Sequence, residues 1–215
     1  MASPDTRVAF VSGGRLPGWV DRFTASHGEV RQDPYDSGLK LVAADGASAV
    51  LLPPWSDGGR PGRGADPVAR LESLAAQPRQ LGLILVRRGG YSVGVVSEGR
   101  VLAAKTGTRH VQSRTAAGGW SQQRFARRRA NQADALVEAV ADHAARIFAE
   151  HSLEYIVPGG DRTLAGQVLA EPVLKRYAAL VRLAFLDVPD PRAAILKRAA
   201  ADACAVRIVV TDPPA

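Results

Sequence analysis

The sequence predicts an α+β protein whose main part is a mixed β-sheet with flanking helices, preceded by a small α+β domain. Three observations carry that expectation. Residues 81–108 hold three apolar segments separated by glycine turns, a long helical pattern runs from 121 to 150, and strands then alternate with helices to 211. Apolar residues make up 46% of the 215, enough for one or two domains with a real core.

Residues 7–11 (RVAFV) read as a strand, followed by a turn at Ser12-Gly13-Gly14. That double glycine lacks the lysine and the spacing of a phosphate loop, so it reads as a plain turn. Pro17 to His27 reads as a helix with proline near its start, Trp19, Val20 and Phe23 on one side, and Gly28 as its stop. Residues 39–55 read as two strands joined by a tight turn at Asp45-Gly46. The polar Gly/Pro-rich run that follows reads as a linker. The expected organisation is therefore a small α+β domain over 1–55, a linker over 56–66 and a second, larger domain over 67–215.

Past a short helix at 67–76, the segments 81–88, 91–98 and 100–108 join through Gly89-Gly90 and Glu98-Gly99 as an antiparallel meander. In the long helix, Phe125, Leu136, Val140 and Ile147 fall within about 60° of one another at 100° per residue and should face the sheet. Arg124, Arg127 and Arg128 recur at i, i+3, i+4 on another flank, and Arg129 projects near the apolar stripe. Ser121 reads as the N-cap, with Gln122 in the first turn. A strand at 153–160, a helix at 161–170, a strand at 180–187, a helix at 191–203 and a strand at 205–211 complete the pattern βββαβαβαβ of one mixed sheet.

Charge singles out one stretch. Gly99 to Ala133 contains no Asp or Glu and carries Arg100, Lys105, Arg109, Arg114, Arg124, Arg127, Arg128 and Arg129. The whole chain has a formal charge of +7, so the remainder sums to −1. A local charge of this kind can aim at a ligand, and the pI near 10.2 favours an acidic one. Four arginines near a helix N-terminus oppose the macrodipole, an arrangement that an anion such as RNA relieves.

Other chemistries find little support. Cys204 is the single cysteine, so no intrachain disulfide forms and a reducing cytosol fits. The segment MASPDTRVAFVSGG lacks the apolar core of a signal peptide, and no apolar run reaches bilayer length, so a cytoplasmic protein without membrane contact is expected. His27, His110, His143 and His151 are scattered without carboxylate or thiol partners at ligand spacing, so no metal and no cofactor is expected. A two-metal nuclease could draw on Asp45, Asp161, Asp187 and Asp190, but the last two lie by prolines and suit a turn and a helix start.

There remains a Gly-Gly loop, a glutamine pair and a cationic helix. GGWSQQRFARRR (118–129), with KTGTRHVQSRT before it and NQA after it, resembles the actinobacterial branch of the Vms-like release factors. These are peptidyl-tRNA hydrolases related to the middle domain of the eukaryotic and archaeal class I release factor. The resemblance covers residues 81–210 and implies an RNase H-like fold whose loop glutamine enters the peptidyl transferase centre. It implies hydrolysis of the ester between peptide and tRNA on the large ribosomal subunit, as in ribosome-associated quality control. A monomer without cofactors is expected. The partners implied are rRNA of the large subunit and peptidyl-tRNA.

In the class I factor the motif is Gly-Gly-Gln, whereas here Trp120 and Ser121 separate Gly119 from Gln122. Gln122 is carried over as the catalytic residue, with Gln123 its rival and Gly118, Gly119, Trp120 and Ser121 as loop support. Lys105, Arg109, Arg114, Arg124, Arg127, Arg128 and Arg129 become the residues that neutralise RNA phosphates. The alternative is a non-catalytic ribosome- or RNA-binding module that uses the same basic helix.

Overall fold

A computed structural model of the chain describes residues 6–108 and 120–213, the side chains of 120–130 excepted. In chain order the elements are β1 (Thr6–Val11), α1 (Leu16–His27), β2 (Val30–Tyr35), β3 (Gly38–Ala43), β4 (Ser48–Leu52), α2 (Pro67–Ala75), β5 (Leu81–Arg87), β6 (Gly90–Ser97), β7 (Arg100–Thr108), α3 (Trp120–Phe148), β8 (Tyr155–Gly160), α4 (Arg162–Ala170), β9 (Val181–Arg182), α5 (Ala193–Ala203) and β10 (Val206–Thr211). They form two compact units, Met1–Pro78 with Ala201–Ala215, and Arg79–Ala200. The protein is α+β, with one antiparallel and one mixed sheet.

The first unit is a sheet of order β1-β10-β4-β3-β2, antiparallel throughout. Leu16 and Phe23 of α1 and Val68, Leu71 and Ala75 of α2 close one core with Leu39, Leu41, Leu51, Val206 and Ile208 of the sheet. The hairpin at Asp45-Gly46 forms as expected. Gly46 takes φ +91°, and Asp45 accepts the Ala47 N–H at 2.9 Å. The Asp45 carboxyl is held below its ordinary pKa by that backbone bond and then by the His27 ring, 2.8 Å away.

Three expectations are corrected here. β10 does not join the strands of the second unit; it pairs with β1 and β4. Its alternation of buried Val206, Ile208 and Val210 with partly exposed neighbours suits a sheet covered on one face. The run 56–66 is not a linker between domains but part of the first unit, and α2 belongs there too. A Cβ on Gly62 would lie 1.9 Å from the Arg70 carbonyl oxygen and one on Gly64 2.5 Å from Ala69. These glycines permit close packing on α2 rather than a loose chain. β2, an edge strand reading VRQDPY, shows no clean alternation and carries a proline that only an edge tolerates.

The second unit is a mixed sheet of order β7-β6-β5-β8-β9, with β5, β8 and β9 parallel and β6 and β7 antiparallel. The expected strand at 180–187 shrinks to Val181–Arg182 plus a bridge between Gly159 and Leu186. Between those contacts β8 advances three residues and its partner four, a bulge beside Pro158, which has no N–H to donate. Leu136, Val137, Val140, Ala141, Ala144 and Phe148 of α3 enter the core with Ile84, Val86, Tyr91, Val93 and Leu164. Leu136 and Val140 were expected there, while Ile147 is only partly buried and Phe148 takes its place. The buried arc is wider than the predicted stripe because α3 also packs on α4 and on the 3-10 turn Pro172–Tyr177. Cys204 is buried, as a small core residue should be.

Candidate active site

Strand polarity gathers several chain segments at one end of the second sheet. β5 and β8 run parallel and end together, Val86 opposite Gly160. The β5–β6 hairpin turns at that end, Arg87 opposite Gly90, and β7 finishes there with Thr108 opposite the same Gly90. α3 points its N-terminus the same way. His143 stacks on Tyr91 near this end with ring centroids 5.6 Å apart. Five residues further on, Phe148 lies at the opposite end, 2.8 Å from where a Cβ of Gly82 would stand.

The chain thus leaves the sheet at Thr108 and returns as a 29-residue helix, about 43 Å long, from the same end. Trp120, Ser121 and Gln122 form the first turn of α3. Ser121 therefore lies within the helix rather than capping it, because helical hydrogen bonding begins one residue earlier. Gln122 precedes His143 by 21 residues, about 32 Å of helix axis. Arg124, Arg127, Arg128 and Arg129 belong to the following turns. Gly118, Gly119, Arg109 and Arg114 lie outside the described residues, as does the side chain of Phe125.

Lys105 is exposed on β7 at the sheet edge. Its cross-strand partner, Val93, points into the core that α3 covers, so Lys105 lies on the α3 face of the sheet. Two positions that sequence reasoning missed hold the root of the loop. A Cβ on Gly107 would lie 2.6 Å from the Tyr91 ring, so only glycine lets β7 pass over it. Arg87 fastens the segment after β9 across the hairpin end, donating from Nη2 to Asp187 at 2.9 Å and from Nε to the Val188 carbonyl. No local pattern announced either contact, since Arg87 and Asp187 are 100 residues apart.

Three of the four carboxylates considered for a nuclease are engaged elsewhere. Asp161 caps α4, accepting the Thr163 and Leu164 N–H groups at 2.9 and 3.1 Å. Asp187 pairs with Arg87, and Asp45 belongs to the first unit. Among the described residues, no group of three or more His, Cys, Asp or Glu is placed to hold a metal.

Residues 79–209 match the Actinobacteria/chloroflexi VLRF1 release factor family, acVLRF1. The chain belongs to this family. The acVLRF1 match takes in the whole of the second unit, α3 included, and continues into β10. Family membership gives the chain the role of a ribosome-associated release factor. No curated protein matches the chain. Among the described residues, no helix is long and apolar enough to cross a membrane.

Proposed function

We propose that this acVLRF1 member hydrolyses the ester between nascent peptide and tRNA on the large ribosomal subunit, with Gln122 as the catalytic amide. The observation that carries this reading is the position of Gln122 in the first turn of a long helix that returns to the sheet from the end where the loop departs. A rod about 43 Å long can deliver one side chain to a confined site while its far end stays anchored in a core. The order β7-β6-β5-β8-β9 supports the RNase H-like fold.

The chemistry asks little of the protein. An aminoacyl ester is already activated, and the ribosome holds it in place, so positioning water supplies most of what is needed. Water attacks the ester carbonyl, the bond between the acyl carbon and the ribose oxygen of the tRNA 3′ end breaks, that oxygen takes one proton from the water, and the peptide leaves as a carboxylate, releasing the other proton to solvent. An amide can orient the water or support the developing oxyanion without changing protonation state. Lys105, Arg109, Arg114, Arg124, Arg127, Arg128 and Arg129 would neutralise rRNA and tRNA phosphates around that approach.

The test is single-turnover reaction of the purified protein with large subunits carrying peptidyl-tRNA. Free peptide and intact deacylated tRNA are expected. Binding without peptide release would leave only an RNA-binding module, and shortened RNA would indicate a nuclease.

A further inference from the structure

We infer that the sheet end where β7 stops carries a second contact for the RNA backbone, formed by Arg88, Arg162 and Arg192, at the root of α3 rather than along it. This inference rests on the release-factor reading, and deepens it by naming residues far from the glutamine. The three arginines come from three separate segments that the topology brings to one edge. Arg88 lies in the β5–β6 turn, Arg162 opens α4 directly after β8, and Arg192 precedes α5. All three are exposed.

Contacts within the unit hold Arg162 and the segment of Arg192. Arg162 places its guanidinium 4.2 Å from the centroid of the Phe185 ring, which fixes the fork while leaving its outer face to solvent. The Arg192 segment is tied to the hairpin by Arg87 and by Ser92, whose hydroxyl donates to the Pro191 carbonyl at 2.9 Å. The Arg192 N–H also bonds the Asp190 carbonyl at 2.9 Å.

The acids at this end only partly offset the cations. Asp187 is paired with Arg87 and Asp161 caps α4, which leaves the Asp190 carboxylate beside Gly89. Among the described residues neither Arg88 nor Arg192 is in an ion pair. From Ser92 on β6, where the Arg192 segment is tied, to Gly160 on β8, just before Arg162, the edge spans two strand spacings, about 10 Å. Cations spread over such a length on a fixed frame suit successive phosphates of a nucleic-acid strand, and Arg is the side chain that grips them in two places.

The experiment measures binding of full-length protein to large subunits carrying peptidyl-tRNA across a salt series, with peptide release scored in parallel. R88Q/R192Q should lower the slope of log affinity against log salt by about 1.4–1.8 and weaken low-salt binding about tenfold. R162Q should lower the slope by about 0.7–0.9. R88K/R192K should retain the wild-type slope, and R182Q, at the far end of the sheet, should change nothing.

An unchanged slope in R88Q/R192Q, with release intact in the wild type, overturns the contact and leaves the esterase reading standing. A wild type that binds with the arginine-dependent slope but releases no peptide does the reverse. A loss seen with intact subunits and absent with deproteinised subunit RNA assigns the edge to a ribosomal protein and overturns the RNA contact.

Discussion

The two halves of α3 divide the work of the second unit between them. From Leu136 onward the helix is core: Leu136, Val140, Ala144 and Phe148 are fully buried against the sheet, α4 and the 3-10 turn. From Trp120 to Arg129 the same helix contains four arginines and two glutamines, and its first acid arrives only at Asp134. One half is chosen by packing and the other by charge, although no break in the helix separates them. The lesson is that stability and function should respond to different substitutions along a single element.

The largest separation is expected from Phe148→Ala. Its ring meets Tyr177 edge-on at 5.4 Å and fills the space that Gly82 leaves open. Urea unfolding should show a loss of about 3–5 kcal/mol. Gln122→Ala should be the mirror image. Release should fall on the order of 100-fold, with subunit binding and thermal midpoint unchanged. Gln123→Ala, by contrast, should release peptide at close to the wild-type rate. If the two glutamines exchange these outcomes, the rival amide is the catalytic one.

Gly107→Ala tests the seat of the core half on β6 and β7. The added methyl collides with Tyr91, the ring on which His143 of α3 rests, and should cost about 1–3 kcal/mol. Arg127→Glu with Arg128→Glu should weaken subunit binding about tenfold and flatten its salt dependence, with urea unfolding unaffected. Unchanged co-sedimentation at moderate salt would remove the arginine half from docking.

The smallest effect lies in the other unit. Asp45 has a lowered pKa, so its contribution to stability is complete above the unfolded value, about 3.9, and fades as pH falls through the folded one. Asp45→Ala should lower the thermal midpoint at pH 7. The gap from wild type should close on acidification, and peptide release should be untouched. A gap that stayed constant down to pH 2 would separate Asp45 from the acid sensitivity of the hairpin.

Much of this organisation is legible in the sequence because it is local. The meander at 81–108 shows its glycine turns, and α3 shows both an apolar period and an acid-free run. What the sequence hides depends on pairing across long separations. β10 reads as a strand, but nothing nearby tells that it inserts between β1 and β4. The glycines of 56–66 look flexible until the α2 backbone is seen against them. At the candidate site, the motif displays Gln122 and the arginines, whereas the Arg87 tie to Asp187 and the Tyr91–His143 stack join distant segments. Such contacts leave no trace in spacing.

The proposed activity requires the tip of α3 to reach the ester. A density map of the protein bound to a large subunit loaded with peptidyl-tRNA measures that directly. The predicted result is the first turn, Trp120 to Gln122, beside the ester at the tRNA 3′ end, with the arginine half lying along rRNA. A map in which that turn sits away from the ester, with the protein held by another face, would contradict it.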